Sequence, residues 1–96
     1  METTTNPQTA ERQLTFGEKA VGLSFNPSKN PLVDSLKRKY ASIIDDLNEA
    51  RKITEDGEAK RYLSTAITQA EISQMLAVKA VTWGDGIFLT TGEDLP

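Results

Sequence analysis

Two helix-length apolar patterns separated by a short polar break, Thr54-Glu55-Asp56-Gly57, constrain this chain more than any other feature. From Val33 the apolar positions continue through Leu36, Tyr40, Ile43, Ile44, Leu47, Ala50 and Ile53. Steps of three and four place them on one side of an α-helix. Asn30-Pro31 supplies its start: Asn is a favoured N-cap, and Pro at the first helical position gives up no hydrogen bond. Asp34 falls in the first turn and Arg51 and Lys52 in the last, where each charge suits the helix dipole. The spacing predicts a helix over 31–53 and a second from about 58 to 82, followed by Trp83 and the breaker Gly84-Asp85-Gly86. So short a connection makes the two antiparallel neighbours. The expected fold is all-α: a short N-terminal element plus an antiparallel two-helix hairpin.

The second helix is apolar on too many sides for a hairpin alone. Its stripe is narrow through Ala59, Tyr62, Leu63, Ala66 and Ile67. From Ala70 it widens to take in Ile72, Met75, Leu76, Val78 and Val81. A helix apolar on most sides is a buried helix. A small chain without disulfides or metal gains its missing burial by association. The expectation is a compact homo-oligomer built from several hairpins. The competing reading folds the Leu14–Leu23 cluster (Leu14, Phe16, Ala20, Val21, Leu23) back over that face, with Gly22 ending the element.

Three regions follow. Residues 1–12 carry no apolar periodicity and read as a flexible tail. Residues 13–84 form the hairpin domain. Residues 85–96 form a C-terminal tail with a brief Ile87-Phe88-Leu89 run before the acidic Glu93-Asp94.

Composition narrows the chemistry. Net charge is −3, with no cysteine and no histidine. A negative body lacks the basic surface that supplies most affinity for DNA or RNA. Thiol nucleophiles, imidazole acid–base chemistry and the usual zinc ligands are missing. Nothing approaches the roughly 20 apolar residues needed to span a bilayer. The N-terminus has no signal-peptide pattern, so an intracellular soluble protein is expected. Asp45 and Glu49 share a helix face at i, i+4, but with no second convergent pair they read as a solvated acidic face. Ser24, Ser28 and Ser64 have no base beside them. No catalysis, metal or cofactor is expected.

One local region suits a compact anion carrying aromatic bases. Ser24-Phe25-Asn26-Pro27-Ser28-Lys29-Asn30-Pro31 sets a ring and an amide in a double-proline loop, and the basic run Lys37-Arg38-Lys39-Tyr40 follows. Phosphates bind cations and helix N-termini, and bases stack on rings. Backbone N–H groups from Ser28 to Leu32 are candidate donors. The plainer reading tucks Phe25 into the core and leaves the lysines solvated.

The segment Phe16-Gly17-Glu18-Lys19-Ala20-Val21-Gly22-Leu23-Ser24-Phe25-Asn26-Pro27-Ser28 resembles the opening of the phage anti-defence hairpin family. Gln74-Met75-Leu76-Ala77-Val78-Lys79-Ala80-Val81-Thr82-Trp83 resembles its late helix. These proteins are cyclic-nucleotide sponges that counter the bacterial CBASS system, and they share the hairpin with antagonists of the Thoeris system. The resemblance spans roughly residues 14–84. It implies a homohexamer in the host bacterial cytoplasm that sequesters cyclic dinucleotides such as cyclic GMP-AMP, and in some members cyclic trinucleotides, without cleaving them.

Carried over by position, Phe25 and Asn26 match the aromatic–Asn pair that encloses a dinucleotide. Phe stands where relatives often have Tyr, so stacking is retained without a phenolic hydrogen bond. The phosphate-binding lysine is Lys39 or Lys37, with Lys39 preferred. Lys79 and Thr82 match the trinucleotide site. Relatives often carry Trp where Leu76 stands. The Thoeris antagonists add a C-terminal β region to which only residues 84–96 correspond here, so the resemblance leaves binding of their cyclic ADP-ribose-type ligand open. The alternative function is a phage-type helical inhibitor that binds a host protein through its apolar helix face.

Overall fold

A computed structural model describes residues 12–84; all but Arg12 of the expected N-terminal tail, and the expected C-terminal tail with its Ile87-Phe88-Leu89 run, lie outside these residues. The order is α1 (Phe16–Val21), α2 (Pro31–Ile53) and α3 (Gly57–Val81). Asn30 caps α2 by accepting from the Leu32 N–H at 2.9 Å. Asp56 caps α3, accepting from the amides of Glu58 and Ala59. The helices therefore begin where a side-chain oxygen can replace the missing carbonyl partners. Thr15 and Glu18 form a reciprocal capping box on α1, and Gly22 ends it in the left-handed region at φ 63°.

Helices α2 and α3 pack as the expected hairpin, and α1 lies chiefly on α2. The core is small: Val21, Ala41, Ile44 and Ile67, flanked by Leu23, Tyr40 and Leu47. Polar contacts stitch the hairpin beside it. The hydroxyls of Tyr40 and Ser73 lie 2.6 Å apart, and Arg51 donates to Ser64 at 3.1 Å.

The buried stripe of α2 differs from the apolar pattern. It runs Val33, Lys37, Ala41, Ile44, Asn48, while Ile43 and Ile53 face outward. Two polar residues can hold interior positions because each has partners. Lys37 reaches backbone carbonyls, and Asn48 accepts from Arg51 at 2.7 Å. Asp45 is also not simply a solvated acid: it accepts from the Gly17 N–H at 2.7 Å and so ties α1 to α2. The N-terminal cluster does not fold over late α3 within the chain. Ile72, Met75, Leu76 and Trp83 stay exposed, Trp83 by 73%. No helix among the described residues is long and apolar enough to cross a membrane.

The approach of α1 to α2 depends on Gly17. A β-carbon there would sit 2.1 Å from the Ala41 carbonyl oxygen, which is backbone and cannot swing aside. Gly17→Ala should therefore destabilise the fold by about 1–3 kcal/mol in urea unfolding. Gly57→Ala, whose added carbon meets nothing within 4 Å, should be neutral or stabilising. Equal effects at the two positions would contradict this packing.

Candidate functional site

The chain leaves α1 through two linked turns. The Phe25 N–H donates to the Gly22 carbonyl at 2.9 Å, and the Lys29 N–H to the Asn26 carbonyl at 3.1 Å. Pro27 sits at the position of the second turn that favours its fixed φ. Lys29 then takes a left-handed φ of 58° and aims the chain into the Asn30 cap.

Side chains brace this loop throughout. Asn26 donates to the Asn30 carbonyl at 3.0 Å and to Asp34 at 3.1 Å, and it accepts from the Ser28 hydroxyl at 3.0 Å. Asn30 reaches across to the Val81 carbonyl at the end of α3. Lys37 comes up from α2 and donates to the carbonyls of Gly22, at 2.9 Å, and of Phe25.

The Phe25 ring is nevertheless 69% exposed. Its neighbour on one side is the Lys37 ammonium, 5.5 Å from the ring centroid. Of the two Phe25 readings, the outward one is what the chain adopts.

Lys37 and Lys39 have separate surroundings. Lys37 is buried at 4% exposure, whereas Lys39 is exposed. Two residues apart on a helix, they point about 200° apart. Within one chain, Lys37 is therefore the lysine that accompanies Phe25. Burial lowers its pKa, and the nearby Asp34 charge offsets part of that.

The expected backbone donors from Lys29 to Leu32 are already used. Lys29 N–H bonds to Asn26, Asn30 to Ser28, Leu32 to the Asn30 side chain and Val33 to the Asn30 carbonyl.

Three cavities surround these residues. One of about 530 Å³, on the Asn26 side, is lined by Arg12, Ser24, Lys29, Asp34 and Arg38. Arg12 is paired with Glu18 at 3.1 Å. The Thr15 N–H, and then Arg12, hold the Glu18 carboxyl below its usual pKa. Arg38 and Lys29 carry no salt bridge among the described residues. None of these cations was singled out in the sequence as a candidate site residue, although Arg38 stands between the two lysines that were. The second cavity, about 450 Å³, lies between α1, the loop and α3, with Phe25, Lys37, Gln74, Met75 and Val78 on its walls. The third, about 460 Å³, brings Lys79 and Thr82 together with Met75, Val78 and Trp83. Thr82 is buried, and its hydroxyl donates back to the Val78 carbonyl at 2.7 Å.

Replacing Lys37 tests the bracing. Lys37→Met removes the donor from two carbonyls and should cost roughly 1.5–3 kcal/mol at neutral pH. The folded chain holds the Lys37 proton less tightly than the unfolded chain, where the pKa is near 10.5. Stability from this residue should therefore rise as pH climbs through the folded-state pKa toward the unfolded value. A neutral amine still carries a hydrogen for each carbonyl. In urea melts, the gap between wild type and Lys37→Met should widen from neutrality toward alkaline pH; a narrowing gap would contradict the assignment.

No curated protein and no solved structure matches the chain. A family model does, over residues 18–82: Acb2/Tad1, hairpin domain. The match begins inside α1, contains the braced loop and both long helices, and ends at Thr82. The chain thus belongs to the Acb2/Tad1 hairpin family, the anti-CBASS and Thoeris antagonist hairpins that its opening and late-helix segments resemble.

Proposed function

We propose that this protein binds and sequesters cyclic oligonucleotide second messengers, cyclic dinucleotides above all, without cleaving them, and so blocks CBASS signalling in the infected host. The observation that carries this reading is the exposed Phe25 ring on a loop whose backbone and polar side chains are fixed by named partners. A preorganised ring loses little entropy when a base stacks on it. Stacking of this kind contributes about 1–3 kcal/mol per base.

The phosphates have two sources of positive charge. Arg38 and Lys29 line the cavity that Asn26 shares. Lys39, pointing away from its own Phe25, supplies an ammonium to the loop of a neighbouring copy. A site shared between copies suits a ligand with near-twofold symmetry. The copies meet through Ile72, Met75, Leu76 and Trp83, an exposed apolar set of the kind that marks an interface. A homohexamer is the assembly this reading takes, with Lys79 and Thr82 offered to cyclic trinucleotides where α3 ends converge. No serine or carboxylate of the described loop is arranged as a nucleophile with a base: Ser28 bonds Asn26 and Asn30 instead. Binding without turnover is the form this reading takes. The same apolar set also favours a second reading, a helical inhibitor of a host protein.

Calorimetric titration with cyclic GMP-AMP separates the two. Wild type should bind and, after heat denaturation, return the ligand intact. Phe25→Ala and Lys39→Ala should each lose about 1–3 kcal/mol of binding while light scattering gives the wild-type hexamer mass. Linear nucleotide in the recovered ligand would show an enzyme. No binding by wild type, or silence of both variants, would favour the inhibitor reading.

A further inference from the structure

Gln74 is buried at 4% exposure on α3, and its side-chain amide makes no hydrogen bond among the described residues. Each of the other buried polar side chains has at least one partner: Lys37 two carbonyls, Asn48 the Arg51 guanidinium, and Thr82 the Val78 carbonyl. A buried amide without a partner is rare enough to need a reason. Here the amide lines the 450 Å³ cavity whose walls include Phe25, Met75 and Val78.

We propose that Gln74 reads the edge of the base held at Phe25 and selects adenine; the inference rests on the nucleotide-binding reading above. A carboxamide offers one acceptor beside one donor. The outer edge of adenine offers the complement, an N6 amino donor beside the N7 acceptor, and Gln pairs with it through two hydrogen bonds. On the same edge guanine presents two acceptors, N7 and O6, and would set O6 against the amide oxygen. The surroundings supply what such a base needs besides its edge. Phe25 offers a ring face, Met75 and Val78 give apolar contact, and the volume is within the range of small-ligand pockets. Lys37 spends two of its three hydrogens on carbonyls, leaving one for a ligand oxygen.

The experiment is calorimetry of the full chain with cyclic di-AMP and cyclic di-GMP, for wild type and Gln74→Leu. Wild type should prefer cyclic di-AMP by about tenfold or more. Gln74→Leu should weaken cyclic di-AMP by roughly tenfold to a hundredfold, leave cyclic di-GMP nearly unchanged, and erase the preference. A preference that survives the substitution, or no preference in wild type, overturns the assignment while leaving dinucleotide binding in place. Binding of neither ligand by wild type removes both the nucleotide reading and the role of Gln74. Should Gln74→Leu fail to fold, a cyclic dinucleotide of 7-deazaadenine, which lacks N7, tests wild type directly. It should bind more weakly than cyclic di-AMP, and equal binding overturns the proposal.

Discussion

The rest of this fold hangs on one buried ammonium. Lys37 joins the end of α1, the loop and α2 by donating to the carbonyls of Gly22 and Phe25. Without it, those oxygens would lose their charged donor close to the core, and Phe25 would keep only its N–H bond to Gly22 to fix its backbone. The contact is possible only because α1 lies close to α2, and that closeness depends on Gly17 having no side chain opposite Ala41. Asp45 holds the start of α1 through the Gly17 N–H while Lys37 holds its end. Two charged residues of α2, eight positions apart, thus anchor a six-residue helix too short to be stable alone.

Much of the architecture was legible in the sequence, for local reasons. Asn30-Pro31 and Thr54 bound α2 as its capping chemistry requires, α3 begins and ends within a residue of its expected limits, and Gly22 closes α1. The register of the buried faces was less legible. An apolar pattern assigns Lys37, Asn48 and Gln74 to solvent and Ile43 to the interior, and the chain does the reverse. What decides it for Lys37 is a pair of carbonyls 15 and 12 residues earlier in the chain. A side-chain pattern carries no trace of those oxygens. Lys39, the lysine preferred from the sequence for the phosphate, points away from Phe25 of its own chain, so its proposed contact is one between copies. The Asp45 bond to Gly17, across 28 residues, was equally out of reach.

The geometry of the candidate loop, by contrast, was partly readable because its elements are contiguous. Phe25 and Asn26 adjoin each other in sequence and in space, and the turn chemistry of Asn26-Pro27-Ser28-Lys29 dictates a compact loop. Asn26 acts on that loop as a brace, through Asn30, Asp34 and Ser28, which makes the amide an organiser of the ring's setting. The cations are dispersed over the chain, so an acidic protein gathers Arg12, Lys29 and Arg38 at one cavity only by folding. The exposed apolar set on α3 lies next to the Phe25 cavity, because Met75 and Val78 line the cavities on both sides. Assembly and ligand capture are therefore physically adjacent in the proposed sponge.

Amide NMR of the full chain during titration with cyclic GMP-AMP tests the central claim, that the braced Phe25 loop is the ligand platform. The resonances of Gly22 to Asn30, together with those of Gln74 to Val78, should shift and saturate, while those of Gly57 to Ser64 at the far end of the hairpin hold still. Shifts confined to the far end, or a spectrum unchanged at saturating ligand, would contradict it.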